Sequence, residues 1–480
     1  MKKIVRLNKM NSNKRLEDRN KPLKRIRSLI VLLFLILGLN IIYYVVFQSD
    51  NLVVNDYNPR LQAIESSVIR GDILDGNGHI LATSKIENNQ QIRMYPYGSL
   101  FAHVVGYMGY GKSGIEAYSY LDLIRTKENL WDKFMEGFTN DQPKGHSVVT
   151  TLDLDLQQLG RTLLGNNKGA IVAIEPKTGK ILAMVSTPDY DPNNISTNYS
   201  TYLKDEASAT LLNRSTQGLY PPGSTFKILT ALAYLQNHEA SDFSYKCLGK
   251  DTFGEKTIHC YNNKVHGDLT LEEAFAVSCN TAFAHIGEQI DMNQLHNLTE
   301  MFGYNQRLEL ELETSNSRYG IENQKSASER AETVIGQGKT LVTPLNSAMM
   351  VSILANDGHL IRPYLVSQVI AEDESVIREQ KIMDTGRVIL EEDVKLIEGF
   401  MKKTSEEGTA IQLSNSQYTV ASKTGSADNS TGAAHAWYVG YAPIEEPRIA
   451  LAVVVENVGT GSAHAVPIAK ALLDAYLIEK

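Results

Sequence analysis

Residues 28–48, SLIVLLFLILGLNIIYYVVFQ, run for 21 residues without a charged side chain. At about 1.5 Å rise per residue, some 20 such residues cross the roughly 30 Å hydrocarbon core of a bilayer. This segment therefore requires the rest of the chain to fold as a body tethered to a membrane. No later stretch reaches the length of a second span. Tyr43 and Tyr44 stand near its far end, where aromatic rings favour the interface. A cleaved secretory signal is the competing reading. The long tail ahead of the run, the length of the run, and the lack of a small-x-small site after Phe47 favour a retained anchor.

Charge orients the span. Residues 1–27 hold 11 Lys or Arg against Glu17 and Asp18, a local net of +9 in a 480-residue chain whose net charge is −8. The positive-inside rule keeps 1–27 in the cytoplasm and sends 49–480 outside. The remainder carries −17, so no nucleic-acid partner is expected. Three cysteines are too few for a disulfide scaffold. A composition of 42% hydrophobic and 21% charged residues excludes collagenous and wholly disordered chains.

Residues 49–147 are polar and turn-rich, punctuated by Asn58-Pro59, Arg70-Gly71 and Gly76-Asn77-Gly78. After Gly145 the texture changes. HSVVTTLD reads as a strand, with Asp153 capping the helix that follows. GAIVAIEPKTGKILAMVS reads as a hairpin of two apolar strands. SQYTVASKTG, AHAWYVGYAP and RIALAVVVEN are three more strand-like runs near the C-terminus, before a helix over about 465–478. Helical patterns fill the middle, for example 224–236 and 343–356. Strands at both ends with helices between them predict an α+β domain over 148–480, an antiparallel sheet assembled from both termini and covered by helices.

Three short motifs carry the chemistry. In PPGSTFK, Ser224 stands near a helix N-terminus and Lys227 follows three residues on, about one turn away on the same face. A serine hydroxyl needs a base to become a nucleophile, and a lysine serves only if its pKa falls through burial or a nearby cation. The helix N-terminus also aims N–H groups at a developing oxyanion. Alone, Ser-x-x-Lys is weak evidence. In SCN, Ser278 can pass a proton between a lysine and a leaving amine, and Asn280 can hold a substrate amide. A helix cap is the bland reading for both. In KTGS, Lys423 offers a positive charge that favours an anionic substrate end and depresses Lys227. Thr424 can bond a carboxylate, and Gly425 lets a substrate backbone approach the strand edge. The Ser426 N–H could complete an oxyanion hole with that of Ser224. His435, Trp437 and Tyr438 are read as packing, Arg70 and Asp72 as structural, and Gln337 and Gly338 only as neighbours of the site.

Together the motifs resemble the Ser-x-x-Lys, Ser-x-Asn, Lys-Thr-Gly set of penicillin-binding proteins and serine β-lactamases. RGDILDGNGHILA (70–82), NRSTQGLYPPGSTFK, GQGKTLVTPLNSAMMVSILANDG (336–358) and HAWYVGYAP resemble class B penicillin-binding proteins in particular, over residues 58–475 or so. Ser422 replaces a frequent Gly, and Ser426-Ala427-Asp428 a more usual Thr-Ala-Glu or Thr-Ala-Gln; neither change removes a functional group. The resemblance implies the penicillin-binding transpeptidase (serine β-lactamase-like) fold, with a five-stranded antiparallel sheet. It implies a D,D-transpeptidase in which Ser224, Lys227 and Ser278 are catalytic. Asn280, Lys423, Thr424, Gly425 and Ser426 would then bind the peptidoglycan stem peptide. β-Lactams would acylate the same serine, and no cofactor is needed for the reaction. An antibiotic-hydrolysing or sensing relative and a catalytically silent scaffold are the alternatives.

The organisation expected is a basic tail (1–27), an anchor (28–48), a small pedestal of the dimerisation type (49–147) and the transpeptidase (148–480). The last takes 333 of the 432 residues beyond the anchor, and the 99 left are too few for a glycosyltransferase domain. By family resemblance, the partner is a polytopic glycosyltransferase of the shape, elongation, division and sporulation (SEDS) group. Cys247, Cys260, His266 and Cys279, spaced C-x12-C-x5-H-x12-C, leave three readings open. They are a structural zinc site, a disulfide (247–260 or 260–279), and reduced cysteines packed as small apolar groups.

Overall fold

The computed structural model describes residues 23–43, 65–88, 90–126, 142–320, 326–429 and 432–478. It divides into two units, 1–67 and 68–480. In the first, α1 (Leu23–Tyr43) is a single apolar helix long enough to cross a membrane. It starts ahead of the uncharged run, taking in Lys24, Arg25 and Arg27. The tail over 1–22, residues 44–48 of the expected span and the Asn58-Pro59 punctuation lie outside the described residues.

The second unit opens with β1 (Ile73–Leu74), β2 (Ile80–Glu87) and β3 (Gln90–Met94). Next come β4 (Ser147–Thr150) and α2 (Leu154–Leu164), whose first turn is capped by the Asp153 carboxylate accepting from Leu156 N at 3.0 Å. The hairpin β5 (Gly169–Ile174) and β6 (Ile181–Thr187) leads to α3 (Lys227–Leu235). Small strands follow: β7 (Tyr245–Cys247), β8 (Lys250–Phe253), β9 (Lys256–His259) and β10 (Gly267–Leu269). Then come α4 (Leu271–Ala276), α5 (Asn280–Gln289) and α6 (Pro344–Ala355), every residue of which is buried. Strands β11 (His359–Ile361), β12 (Val366–Ile370), β13 (Val376–Glu379) and β14 (Asp384–Arg387) precede α7 (Glu391–Glu406). The chain closes with β15 (Ala421–Ala427), β16 (His435–Ala442), β17 (Ile449–Val455) and α8 (Gly461–Leu477), which begins four residues before the expected start.

The central sheet has five antiparallel strands in the order β15-β16-β17-β5-β6, as the resemblance implied. Its inner strands β5 and β17 are apolar on both faces because both are covered. Ile171, Ala173, Leu451 and Val453 pack with Leu156 of α2 and Val466, Leu472 and Leu473 of α8. Val172, Ala452, Val454 and Trp437 pack on the other side with Ile228 and Leu232 of α3 and Leu345, Ala348 and Val351 of α6. A second, six-stranded sheet runs β13-β12-β4-β1-β2-β3, with β1 and β4 parallel and the other pairs antiparallel. The division expected at 147/148 therefore runs through β4. Strands from both sides of it share this sheet. Arg70 and Asp72 are structural here: Arg70 Nε bonds Glu116 at 2.8 Å, and Asp72 takes Lys144 Nζ at 2.6 Å and the Thr83 hydroxyl at 2.7 Å.

Candidate active site

The first motif reaches the sheet edge on a tight turn. Ser224, half-buried, lies in a single 3-10 turn (Gly223–Phe226), and α3 begins at Lys227. The turn is held from three sides. Trp437 Nε1 donates to Pro221 O at 3.0 Å, and Gly223 N donates to Gly336 O at 2.9 Å. Glu456, just past the end of β17, accepts from Tyr220 Oη and Arg214 Nε, both at 2.8 Å. The Tyr220 ring meets His435 and Trp437 edge-on. Trp437 and Tyr438 are fully buried and His435 nearly so, which agrees with packing. Gly336, next to Gln337, touches the serine turn. It has φ +75°, and a Cβ there would lie 2.0 Å from Gly223 O.

The second motif links α4 to α5. Ser278 has φ +57°, the left-handed region that costs an L-residue about 1 kcal/mol or more. That conformation turns its carbonyl and hydroxyl toward Lys227. Lys227 Nζ bonds Ser278 O at 2.8 Å, Asn280 Oδ1 at 2.8 Å and Ser278 Oγ at 3.3 Å, and none of the three bonds goes to Ser224. Lys423 Nζ reaches Ser278 Oγ from the other side at 2.9 Å and Thr424 O at 3.2 Å. One serine oxygen thus stands between two fully buried lysines.

Burial drives both lysines down. Loss of hydration lowers Lys227 to about 8, against a smaller upward pull from the Cys279 and Cys260 thiols. Burial again comes first for Lys423, and the Lys227 charge pushes it lower still. The repulsion expected to act on Lys227 thus falls on Lys423. A neutral Lys227 amine has two N–H groups and a lone pair. The two 2.8 Å bonds use the N–H groups, and the lone pair is left for a hydroxyl proton.

Asn280, expected to hold a substrate amide, already uses half of its own amide within the site. Its Oδ1 accepts from Lys227, and its Nδ2 donates to His259 O at 2.9 Å, on the end of β9. One lone pair and one N–H remain for a substrate.

The third motif lies on β15, an edge strand of the sheet. Gly425 pairs with Trp437, and a Cβ on it would sit 3.1 Å from Pro222 O and 3.2 Å from Thr225 Cγ2. The glycine is thus explained by the approach of the serine-bearing turn. Thr424 donates to Thr409 Oγ1 at 2.6 Å, and Gly461 N donates to Ser426 Oγ at 3.4 Å. Thr409, Gly336, Glu456 and the His259 carbonyl were not found by sequence reasoning, since none belongs to a motif with its own chemistry.

The cysteine cluster abuts the second motif. Cys260 Sγ lies 3.6 Å from both Cys247 Sγ and Cys279 Sγ, and Cys247 Sγ lies 3.3 Å from His266 Nδ1. The four candidate donor atoms are all within 4.8 Å of one another, and the three thiols are free. Hydrogen bonds, the one from Cys279 foremost, outweigh burial and push the Cys260 thiol down, while the Cys279 thiol that shares that bond is pushed up. The downward shift favours the thiolate, the form that ligates metals.

The chain is similar to known proteins over most of its length. A model described as the penicillin binding protein transpeptidase domain matches residues 169–474, and one described as the penicillin binding protein A dimerisation domain matches 70–148. The peptidoglycan D,D-transpeptidase PbpA of Mycolicibacterium smegmatis is 32% identical over an alignment of 494 positions, covering 96% of this chain and 99% of that one. MrdA of Acinetobacter baumannii, also a peptidoglycan D,D-transpeptidase, is 30% identical over 456 positions, covering 82% of this chain and 67% of that one. Among solved structures, the ceftriaxone acyl-enzyme complex of penicillin-binding protein A from M. tuberculosis superposes with a TM-score of 0.80 at 30% identity, covering 87% of this chain and 100% of that one.

Fold and family together define a penicillin-binding transpeptidase. The chain belongs to the class B penicillin-binding proteins of the PbpA/MrdA type, and its activity is that of a peptidoglycan D,D-transpeptidase in cell-wall synthesis.

Proposed function

We propose that Ser224 is the acylated nucleophile and that Lys227 and Ser278 move its protons. Ser224 Oγ attacks the penultimate D-alanine carbonyl of a stem peptide and gives its proton to the neutral Lys227 amine. The Ser224 and Ser426 N–H groups take the oxyanion. Ser278 relays a proton to the departing D-alanine nitrogen as the C–N bond breaks, leaving an ester on Ser224. An amine of a neighbouring stem attacks that ester, loses a proton to the same lysine and frees the serine. Lys423, Thr424 and Ser426 hold the terminal carboxylate, Asn280 holds a substrate amide, and the edge of β15 pairs with the extended peptide. The observation that carries this reading is the Ser278 hydroxyl standing 3.3 Å and 2.9 Å from the two lysine nitrogens.

A fluorescent penicillin tests it. The unaltered chain is labelled, and Ser224→Ala is not. Equal labelling of both would sink the assignment. Nitrocefin turnover in place of stable acylation would move the protein to the hydrolysing class.

The helix α1 anchors the chain in the membrane, and the basic residues ahead of it support a cytoplasmic N-terminus with the catalytic unit outside. Family resemblance supports a SEDS-type glycosyltransferase as partner; co-purification of such an enzyme from detergent-solubilised membranes tests that reading.

Cys247, Cys260, His266 and Cys279 are proposed to hold a structural zinc ion. A tetrahedron with Zn–S bonds of about 2.3 Å places its sulfurs roughly 3.8 Å apart, close to the two 3.6 Å separations here. Cys260 is equally far from both other thiols, which suits a shared ion better than one disulfide. Elemental analysis of the purified chain should find one zinc per protein, with thiol titration blocked until a chelator is added. Metal-free protein with three titrating thiols would refute it.

A further inference from the structure

Thr409 lies outside all three motifs, yet it joins two of them. It stands in the turn after α7, where Gly408 N bonds Lys403 O and Ala410 N bonds Thr404 O, each at 3.1 Å. From this fixed turn the Thr409 N–H reaches Ala276 O at 3.3 Å, two residues before Ser278. Its hydroxyl accepts from Thr424 at 2.6 Å.

Packing alone would account for a hydroxyl pair between α7 and β15, and the fold contains such a pair. Ser405 Oγ and Ser422 Oγ are 2.7 Å apart and sealed from solvent. Ser422 and Thr424 share a face of β15, since residues i and i+2 do. Thr409 differs because it is only half-buried. Thr409 therefore sits where the inter-element seam opens toward solvent, and its bond to Thr424 is only partly buried. Two buried lysine nitrogens bond the adjoining Ser278, and the hydrogen bonds they make among the described residues go to hydroxyl, carbonyl and amide oxygens rather than to a carboxylate. Hydroxyl donors beside amine N–H groups make a seat for an anion.

We propose that Thr409 is a specificity-determining residue that, with Thr424, seats the substrate's terminal carboxylate. The Thr424 hydroxyl turns from Thr409 to the carboxylate when substrate enters, and the Thr409 hydroxyl, released as an acceptor, donates to the same anion. This rests on the reading that the Lys-Thr-Gly strand holds that carboxylate.

The test compares acylation by benzylpenicillin, which carries a carboxylate, with acylation by its methyl ester, which does not. Thr409→Val should slow the free acid roughly tenfold, the order expected for one hydrogen bond to a charged group. The ester rate should stay within about twofold, and Thr409→Ser should restore the free-acid rate. Thr409→Ala, run in parallel with a thermal melt, serves if the valine variant folds poorly. An equal loss on both substrates, or no loss on either, overturns the proposal. Thr424→Val separates the two layers. If it discriminates and the Thr409 variants do not, only the Thr409 inference fails. If Thr424→Val does not discriminate either, the carboxylate reading of the strand fails and takes this inference with it.

Discussion

Two buried charge clusters in this molecule are built on opposite principles. Near β3, the Glu116 carboxylate is fully buried between Arg70 Nε at 2.8 Å and Arg93 Nε at 2.6 Å. Burial alone would raise Glu116, but the Arg93 and Arg70 charges and their bonds together overcome it and leave the carboxyl below its ordinary range. At the active site, two lysines of like sign are buried around one serine hydroxyl, and both pKa values fall. The first cluster spends its electrostatics on holding a strand, a short helix (Gly114–Tyr118) and the segment before β1 in place, with nothing left to react. The second holds an amine near neutrality at a cost in stability, and that amine can take a proton. Opposite charges buried together make a fastener; an amine stripped of its hydration makes a base.

The sharpest way to break this contrast is to remove one member of each cluster. Lys227→Met should lower acylation by β-lactam by about a thousandfold or more, the loss of a general base and of its hold on Ser278. Its thermal stability should be equal or higher, because a buried amine gives way to an apolar chain. Stopped-flow acylation and a melt on the same sample check both. Glu116→Gln should show the reverse, losing about 3–5 kcal/mol of stability because two guanidiniums are left buried without their carboxylate. The acylation rate per folded molecule should stay nearly unchanged. A Glu116 variant that melts normally would remove the distinction.

The clusters should also separate on a pH axis. A base with a pKa of about 8 must be unprotonated to act, so acylation should rise with pH and level off above that value. Below it, the rate should fall about tenfold per pH unit. Glu116 is depressed in the folded chain, so its contribution is fully present above the unfolded carboxylate value and is lost only as pH falls through the lower folded one. Between about pH 5 and 7 the protein should therefore be slow but fully folded. A melt that weakens over the same window as the rate would argue against separate roles.

How much of this was legible from residues follows the same physics. GAIVAI and IALAVVV announced themselves because strands covered on both faces are apolar throughout. The lysines were legible through motif spacing, although which one bears the repulsion needed their burial. Strand β12 gave no hint of its partners: it lies beside β4, so Val366 faces Thr150 across more than two hundred residues. A five-residue run of mixed exposure cannot specify so distant a neighbour. Thr409 was silent for another reason, since a lone threonine in a Gly-Thr-Ala turn has no chemistry until Thr424 is beside it. The positive φ of Ser278 was hidden too, because serine does not mark a left-handed position as glycine does.

That strained serine supplies the smallest test of the contrast. Ser278→Ala removes the hydroxyl between the lysines and keeps a Cβ at φ +57°. Ser278→Gly removes the same hydroxyl and relieves the backbone. Both should lose acylation to a similar degree, since both lose the proton relay. They should differ in stability, with the glycine variant about 1 kcal/mol the more stable, the cost of one non-glycine residue in that region. Denaturant midpoints at constant slope measure the difference. If the two variants melt alike, the turn does not force this φ, and the aim of Ser278 at Lys227 comes from the lysine's own bonds rather than from the backbone.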